Sequence, residues 1–282
     1  MTFTTRFAPS PTGPLHLGHA FSALTAADMA RAEGGRFLLR IDDLDQSRAR
    51  AEWEAQLKGD LAWLGLTWPE PCRRQSDHAA DYAAALKTLG AMGLTYPCNC
   101  SRRDIAAAAS APQEGAPLIG PDGVVYPGTC RNRPLSSAGP QDAIRLDMAK
   151  AIAALPNLPG FTETGPEHAG QHLLTADYLL NGIGDAVLAR ASMGAAYHLA
   201  VVVDDAAQHI THVVRGADLF TASFLHRLLQ ALLGLPAPIY HHHRLIRDDS
   251  GKRLAKRDDA RAIARYRDDG ATPESLRSLL GL

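Results

Sequence analysis

The chain has 282 residues, 46% hydrophobic and 21% charged, an ordinary globular composition with enough apolar material for a substantial core. Its 29 Lys and Arg against 30 Asp and Glu leave a net charge of −1, which excludes a general affinity for polyanions; any nucleic-acid contact must come from a local basic face. The first residues, MTFTTRF, hold no apolar run of signal-peptide length and no membrane-spanning stretch follows, so the expected location is the cytoplasm, with no membrane partner. The four cysteines (72, 98, 100 and 130) are too few and too unevenly spaced for a disulfide framework.

In chain order, residues 2–8 read as a short strand entering a Pro/Gly loop. From Leu17 the apolar positions Leu17, Ala20, Phe21, Leu24 and Ala27 keep helical spacing until Gly34 and Gly35 end the helix. RFLLRI (36–41) is the next strand, followed by DDLD, and Trp53, Leu57, Leu61 and Leu64 form a second helical stripe. This alternation predicts an α/β fold with a Rossmann-like parallel sheet and crossover helices. Residues 97–135 break the pattern: they hold three of the four cysteines and a low-complexity run, IAAAASAPQEGAPLIGPDGVVYPG, that reads as a mobile loop. Regularity returns with YHLAVVVDD (197–205), expected as a buried strand, then ITHVVRG and a helix around Phe224, Leu228, Leu232 and Leu235. The simplest architecture is a split sheet with a compact insertion near 95–185.

The stretch FAPSPTGPLHLGH (7–19) leads from a strand into a helix start, where free N–H groups and the helix dipole favour phosphate. His16 and His19, three apart, add two side-chain donors, and Gly18 between them leaves room for a flat group such as a base or ribose. The arrangement suits a nucleoside triphosphate whose α-phosphate gains charge in the transition state. Two histidines that merely cap the helix remain the plainer alternative.

RFAPSPTGPLHLGH (6–19) resembles the signature of class I aminoacyl-tRNA synthetases of the glutamyl/glutaminyl branch. RIDDLD (40–45), YHLAVVVDD (197–205), THVVRGADL (211–219) and GKRLAKR (251–257) are similar to further motifs of that family, in its order. The resemblance implies adenylate formation from an amino acid and ATP, with Mg2+ accompanying the nucleotide. His16, His19 and Lys256 would be catalytic, and Gly18, His16, His19, Arg253 and Lys256 would bind ATP. The family pattern around Lys256 is Lys-Met/Leu-Ser-Lys, so Arg253 replaces a Lys and Ala255 a Ser. Glutamate binding would fall to Arg6, Ala8, Ser10, Asp42, Tyr197 and Arg215. Arg forks suit carboxylates, and Asp42 stands where the family usually has Glu, one methylene longer. Asp204 and Asp205 are expected to be structural.

Cys98 and Cys100 point the same way in an extended stretch, and Cys130 follows the loop; by spacing alone they are either three zinc ligands or inert buried thiols. The glutamyl-queuosine branch of the family carries a Cys-x-Cys…Tyr-x-x-x-Cys zinc site. That resemblance implies one structural Zn2+ per chain on Cys98, Cys100, Tyr126 and Cys130, with Cys72 outside the pattern.

On this reading residues 1–95 and 186–235 are the two halves of the catalytic domain, 96–185 is an insertion with the zinc site, and 236–282 hold the Lys256 loop and short C-terminal helices. No anticodon-binding domain is expected, since only 25 residues follow Arg257. The resemblance then implies a monomer that activates glutamate without tRNA and passes it to queuosine at the wobble position of tRNA(Asp), holding that anticodon stem-loop in the catalytic domain. Residues 244–267, with nine Lys and Arg against four Asp, supply a candidate RNA face beside His241, His242 and His243, whose run reads as packing. An adenylyltransferase acting on a small molecule without RNA, and a non-catalytic tRNA-binding relic, are the alternatives.

Overall fold

The computed structural model of the chain describes residues 2–109, 118–247 and 261–282. Strand β1 (Thr4–Phe7) pairs in parallel with β2 (Arg36–Ile41), and helix α1 (Leu17–Ala32) makes the crossover. Every residue of β1 is buried, as a parallel strand covered on both faces must be. Alanines at 20, 23, 26 and 27 let α1 lie close to this pair, while Leu17, Phe21 and Leu24 fill the remaining space. Helix α2 (Ala51–Trp63) packs Leu57 and Leu61 into the same core, and β3 (Arg73–Arg74) extends β2 in parallel.

After helix α3 (Ala79–Ala91) the chain forms β4 (Thr95–Cys98), α4 (Arg102–Ala109), the hairpin β5 (Ile119–Gly120) and β6 (Gly123–Val124), then β7 (Ala143–Leu146) and α5 (Met148–Ala153). The low-complexity run expected as a loop therefore begins in a helix and ends in a hairpin; its residues 110–117 lie outside the described residues. Strands β8 (Gly160–Glu163) and β9 (Gly170–Leu173) follow, and β10 (Val187–Ala189) joins β7 and β4 in an antiparallel sheet. The division expected after 95 falls inside β4, and β8 hydrogen-bonds outside the 96–185 segment, so the insertion and the catalytic halves share strands.

Residues 197–205 form no strand: Tyr197–Ala207 is helix α6. A short continuous apolar run cannot be assigned by periodicity, and here the helix is buried nearly all round, with His198 through Val202 and Asp204 and Asp205 all inside. Strand β11 (His212–Gly216), helix α7 (Ala222–Leu232) and β12 (Ile239–His243) complete a second βαβ unit, giving the order β11-β12-β8-β9. The two units meet where Thr211 N donates to Thr4 O at 3.0 Å, so β1 and β11 lie side by side. Helices α8 (Ile263–Asp268) and α9 (Pro273–Leu280) return to the first core through Ile263, Leu276 and Leu280. Pro273 opens α9 behind a Thr272–Ser275 capping box, and Gly281 closes it in the left-handed region at φ 71°. Among the described residues no helix is long and apolar enough to cross a membrane.

Candidate active site

A cavity of about 220 Å³ opens at the carboxyl ends of β1, β2, β11 and β12, the place where open parallel sheets bind ligands. It gathers Arg6, Ala8, His16, Gly18, His19, Asp42, Tyr197 and Arg215, residues that the sequence scatters over more than two hundred positions. Ser10 lines an adjoining cavity of about 480 Å³ that shares Ala8, His19, Asp42 and Tyr197 as walls. Arg253 and Lys256, expected at the ATP phosphates, lie outside the described residues.

His16 is the N-cap of α1, and the two histidines form a reciprocal cap. His16 Nδ1 accepts from Gly18 N, and His19 Nδ1 accepts from His16 N, each at 3.1 Å. Both rings spend Nδ1 as an acceptor, so in the neutral form each carries its proton on Nε2. Their centroids lie 3.8 Å apart. A Cβ at residue 18 would sit 3.0 Å from His16 Cε1, so Gly18 makes room for the histidine ring itself. The cap and the phosphate site are one construction: the caps the helix needs are the donors a phosphate would meet.

Beneath the cavity lies a buried ion network that the sequence reading missed in part. Arg40 has no exposed side-chain surface; its Nε donates to Asp42 Oδ1 at 2.8 Å and its Nη1 to Asp205 Oδ1 at 2.6 Å. Arg6 Nε also donates to Asp205 Oδ1, at 2.9 Å. Asp205 is held below the usual carboxylate range: burial pushes it up, but the charges of Arg6 and Arg40 outweigh that. Asp42 goes the other way, its desolvation exceeding the pull of Arg40, and rises from 3.8 to about 6. Neighbouring Asp204 accepts from Arg73, Gln75 and Tyr82 and ties α6 to the β3–α3 segment. The arginine inside RFLLRI, a cation in an apolar strand, was the available signal for Arg40.

Arg215, 6% exposed, is surrounded differently. Its Nε donates to His242 Nε2 at 3.0 Å, Nη1 to His226 Nδ1 at 3.2 Å, and Nη2 to Ser223 Oγ at 2.7 Å and Leu219 O at 3.2 Å. None of these partners is a carboxylate. Charges of both signs line the cavity, Arg6, Arg40, Arg215 and Arg244 beside Asp42 and Asp218, with Asp204 and Asp205 buried behind Arg40. His242 and His243 are buried, so the histidine run is packing and belongs to this wall, not to an RNA face. Of the basic residues proposed for that face, Arg244 donates to Leu280 O at 2.6 Å, Arg261 pairs with Asp269, and Arg267 reaches Asp60 at 3.5 Å.

At the far end of β4 the sulfurs of Cys98, Cys100 and Cys130 lie within 4.8 Å of one another. Tyr126 Oη is 3.4 Å from both Cys98 Sγ and Cys100 Sγ, and it accepts from Cys130 N at 2.9 Å. Three sulfurs and one oxygen around a common point fit a tetrahedral soft-metal site. Burial pushes the Tyr126 phenol well above its ordinary range, so a bound cation is what would draw out the phenolate. Cys72 stands apart, packed on the first core.

The fold and the cavity define a class I synthetase catalytic domain. A family model described as tRNA synthetases class I (E and Q), catalytic domain, matches residues 2–116 and 174–282, and the chain belongs to that family. A protein of Rhodobacter capsulatus named glutamyl-Q tRNA(Asp) synthetase is 60% identical over 281 residues, covering 99% of both chains. One of the same name from Deinococcus radiodurans is 43% identical over 275 residues, covering 97% of this chain and 86% of the other. Among solved structures, a glutamate tRNA ligase from Elizabethkingia meningosepticum in complex with its amino acid superposes with a TM-score of 0.78 at 25% identity. It is matched over 100% of this chain, which spans 61% of that protein's length. Methionyl-tRNA synthetase of Mycobacterium tuberculosis, at TM-score 0.64 and 13% identity, shares the fold.

Proposed function

We propose that the chain is an ATP-dependent ligase that activates glutamate as glutamyl-adenylate without tRNA and transfers it to queuosine at the wobble position of tRNA(Asp), in the cytoplasm and as a monomer. A glutamate carboxylate oxygen attacks the α-phosphorus of ATP, the bond to the β-phosphate breaks, and pyrophosphate leaves. His16 and His19, with the α1 N-terminus, donate to the phosphate oxygens that gain charge. Mg2+ would accompany the nucleotide, and Arg253 and Lys256 would meet the triphosphate. The glutamyl group then passes to queuosine and AMP leaves.

The observation that carries this reading is Arg215, a buried guanidinium held by two histidines, a hydroxyl and a backbone carbonyl, in the wall of the same cavity as the histidine pair. The side-chain carboxylate of glutamate supplies the anion: Arg215 takes it, Tyr197 and Ser10 supply hydroxyls, the Ala8 backbone flanks the substrate, and Asp42 takes the ammonium. Arg6 serves mainly by holding Asp205 and sharing its charge. Glutamine, whose side-chain amide carries no charge, leaves the Arg215 cation unmatched, at a cost of about 3 kcal/mol or more. Cys98, Cys100, Tyr126 and Cys130 would hold one Zn2+, which would fasten the insertion and take no part in the chemistry. Glutamate-dependent ATP–pyrophosphate exchange without tRNA tests the first step; labelled glutamate transfer to tRNA(Asp), with and without queuosine, tests the second. Equal exchange with glutamine, or equal transfer to tRNA lacking queuosine, overturns the corresponding part.

A further inference from the structure

The lone pairs that hold Arg215 are themselves set by a chain of residues leading to the surface of the insertion. A guanidinium only donates, so His226 Nδ1 and His242 Nε2 must both accept. His226 is fully enclosed, and burial, then the charge of Arg215, holds its pKa well below the usual range; the ring is neutral. Its single proton is therefore on Nε2, 3.0 Å from His198 Nδ1. His198 Nδ1 must accept that proton's hydrogen bond, which puts its own proton on Nε2. That nitrogen faces Asp122 Oδ1 and Oδ2 at 3.0 and 3.1 Å. With His226 neutral, one placement of protons satisfies the whole chain, and it needs an acceptor at residue 122.

Asp122 sits at the turn between β5 and β6, four residues before Tyr126, with its side chain 60% exposed. An exposed carboxylate contributes little through charge alone. Its leverage is directional. Without it His198 can take the other tautomer, whose Nδ1–H meets His226 Nε2–H head on, and His226 must then turn its lone pair away from Arg215.

We propose that Asp122, His198 and His226 are positioning residues that link the insertion to the amino-acid site by fixing the orientation of Arg215. The inference rests on the reading that a substrate carboxylate meets Arg215. In pyrophosphate exchange with glutamate and ATP varied separately, Asp122→Ala raises KM for glutamate about fivefold, the loss of one net hydrogen bond, and leaves kcat and KM for ATP in place. Asp122→Asn, whose amide oxygen accepts the same N–H, restores KM for glutamate. Ring nitrogen shifts measured by 15N NMR without substrate show His198 in one tautomer in the wild type and a mixture in Asp122→Ala. An unchanged KM for glutamate in Asp122→Ala, a parallel rise in KM for ATP, or an unchanged His198 tautomer overturns the proposal. Wild-type protein with no glutamate-dependent exchange overturns the substrate reading instead, while the nitrogen shifts still decide whether the chain exists.

Discussion

Arg40 and Asp42 stand two residues apart at the end of β2, and the wholly buried guanidinium donates to the carboxylate across 2.8 Å. Even so, desolvation lifts Asp42 from 3.8 to about 6. A carboxyl whose folded pKa is raised contributes stability below its unfolded value and loses it as pH rises through about 6. At pH 7.5 its ionised form costs the fold up to about 3 kcal/mol. Asp42→Asn is therefore expected to raise the denaturation midpoint at that pH. It should also raise KM for glutamate about tenfold, because the ammonium loses its partner. Urea titration and steady-state exchange on the same variant check both halves; a variant neither stabilised nor weakened in glutamate binding refutes the assignment.

The reciprocal cap of His16 and His19 predicts a separable effect on chemistry. His19→Ala removes one donor to the developing phosphate charge, about 3 kcal/mol, and should slow pyrophosphate exchange about a hundredfold. KM for glutamate should stay near wild type, since the amino acid is held by other walls. Wild-type exchange rates in this variant would remove His19 from the mechanism.

Glu163 and His242 predict acid sensitivity behind Arg215. Burial alone would raise Glu163, but the His242 ring, the His242 N–H at 2.8 Å and the Gly165 N–H at 2.6 Å hold it at about 2. A depressed carboxylate gives stability that is present above its unfolded value of 4.5 and lost as pH falls toward 2. His242, lowered by burial from 6.5 to about 4, loses stability over the preceding window as pH falls. Together they should steepen acid unfolding between pH 6 and 3. In Glu163→Gln that slope flattens, and stability at pH 7 falls by on the order of 3 kcal/mol. Chemical denaturation at pH 7, 5 and 3.5 reads the difference.

The sulfur cluster predicts one zinc per chain in freshly purified protein, measured by elemental analysis. Cys130→Ala should lose the metal and raise hydrogen exchange in β4 and β7, whereas Cys72→Ala should keep full zinc content. Protein without stoichiometric zinc, or exchange unaltered by Cys130→Ala, argues against the site.

Much of this was legible because it is local. Helical spacing from Leu17, the GG stop and RFLLRI suffice for the first βαβ unit, and His16-x-Gly18-His19 marks the helix start that faces the cavity. The cysteine spacing also read correctly as a cluster, since β4 and the Tyr126–Cys130 loop close over a short separation. What escaped depends on burial and distance. VVV in α6 is β-branched, and only the surrounding core decides that it is helical. Asp205 matters through partners in two other strands, and Asp122 through two histidines. Neither relation leaves a periodic trace.

Asp205 lies 199 residues after Arg6 and 165 after Arg40, the two cations it neutralises. On the ribosome the first strand pair is complete long before that carboxylate has been synthesised. Closing it dry at that stage would leave two guanidinium groups with Asp42 as their one nearby anion. Translation therefore imposes an order: the amino-terminal half stays hydrated at its centre until α6 emerges, and the pocket forms in the same event that joins the two halves.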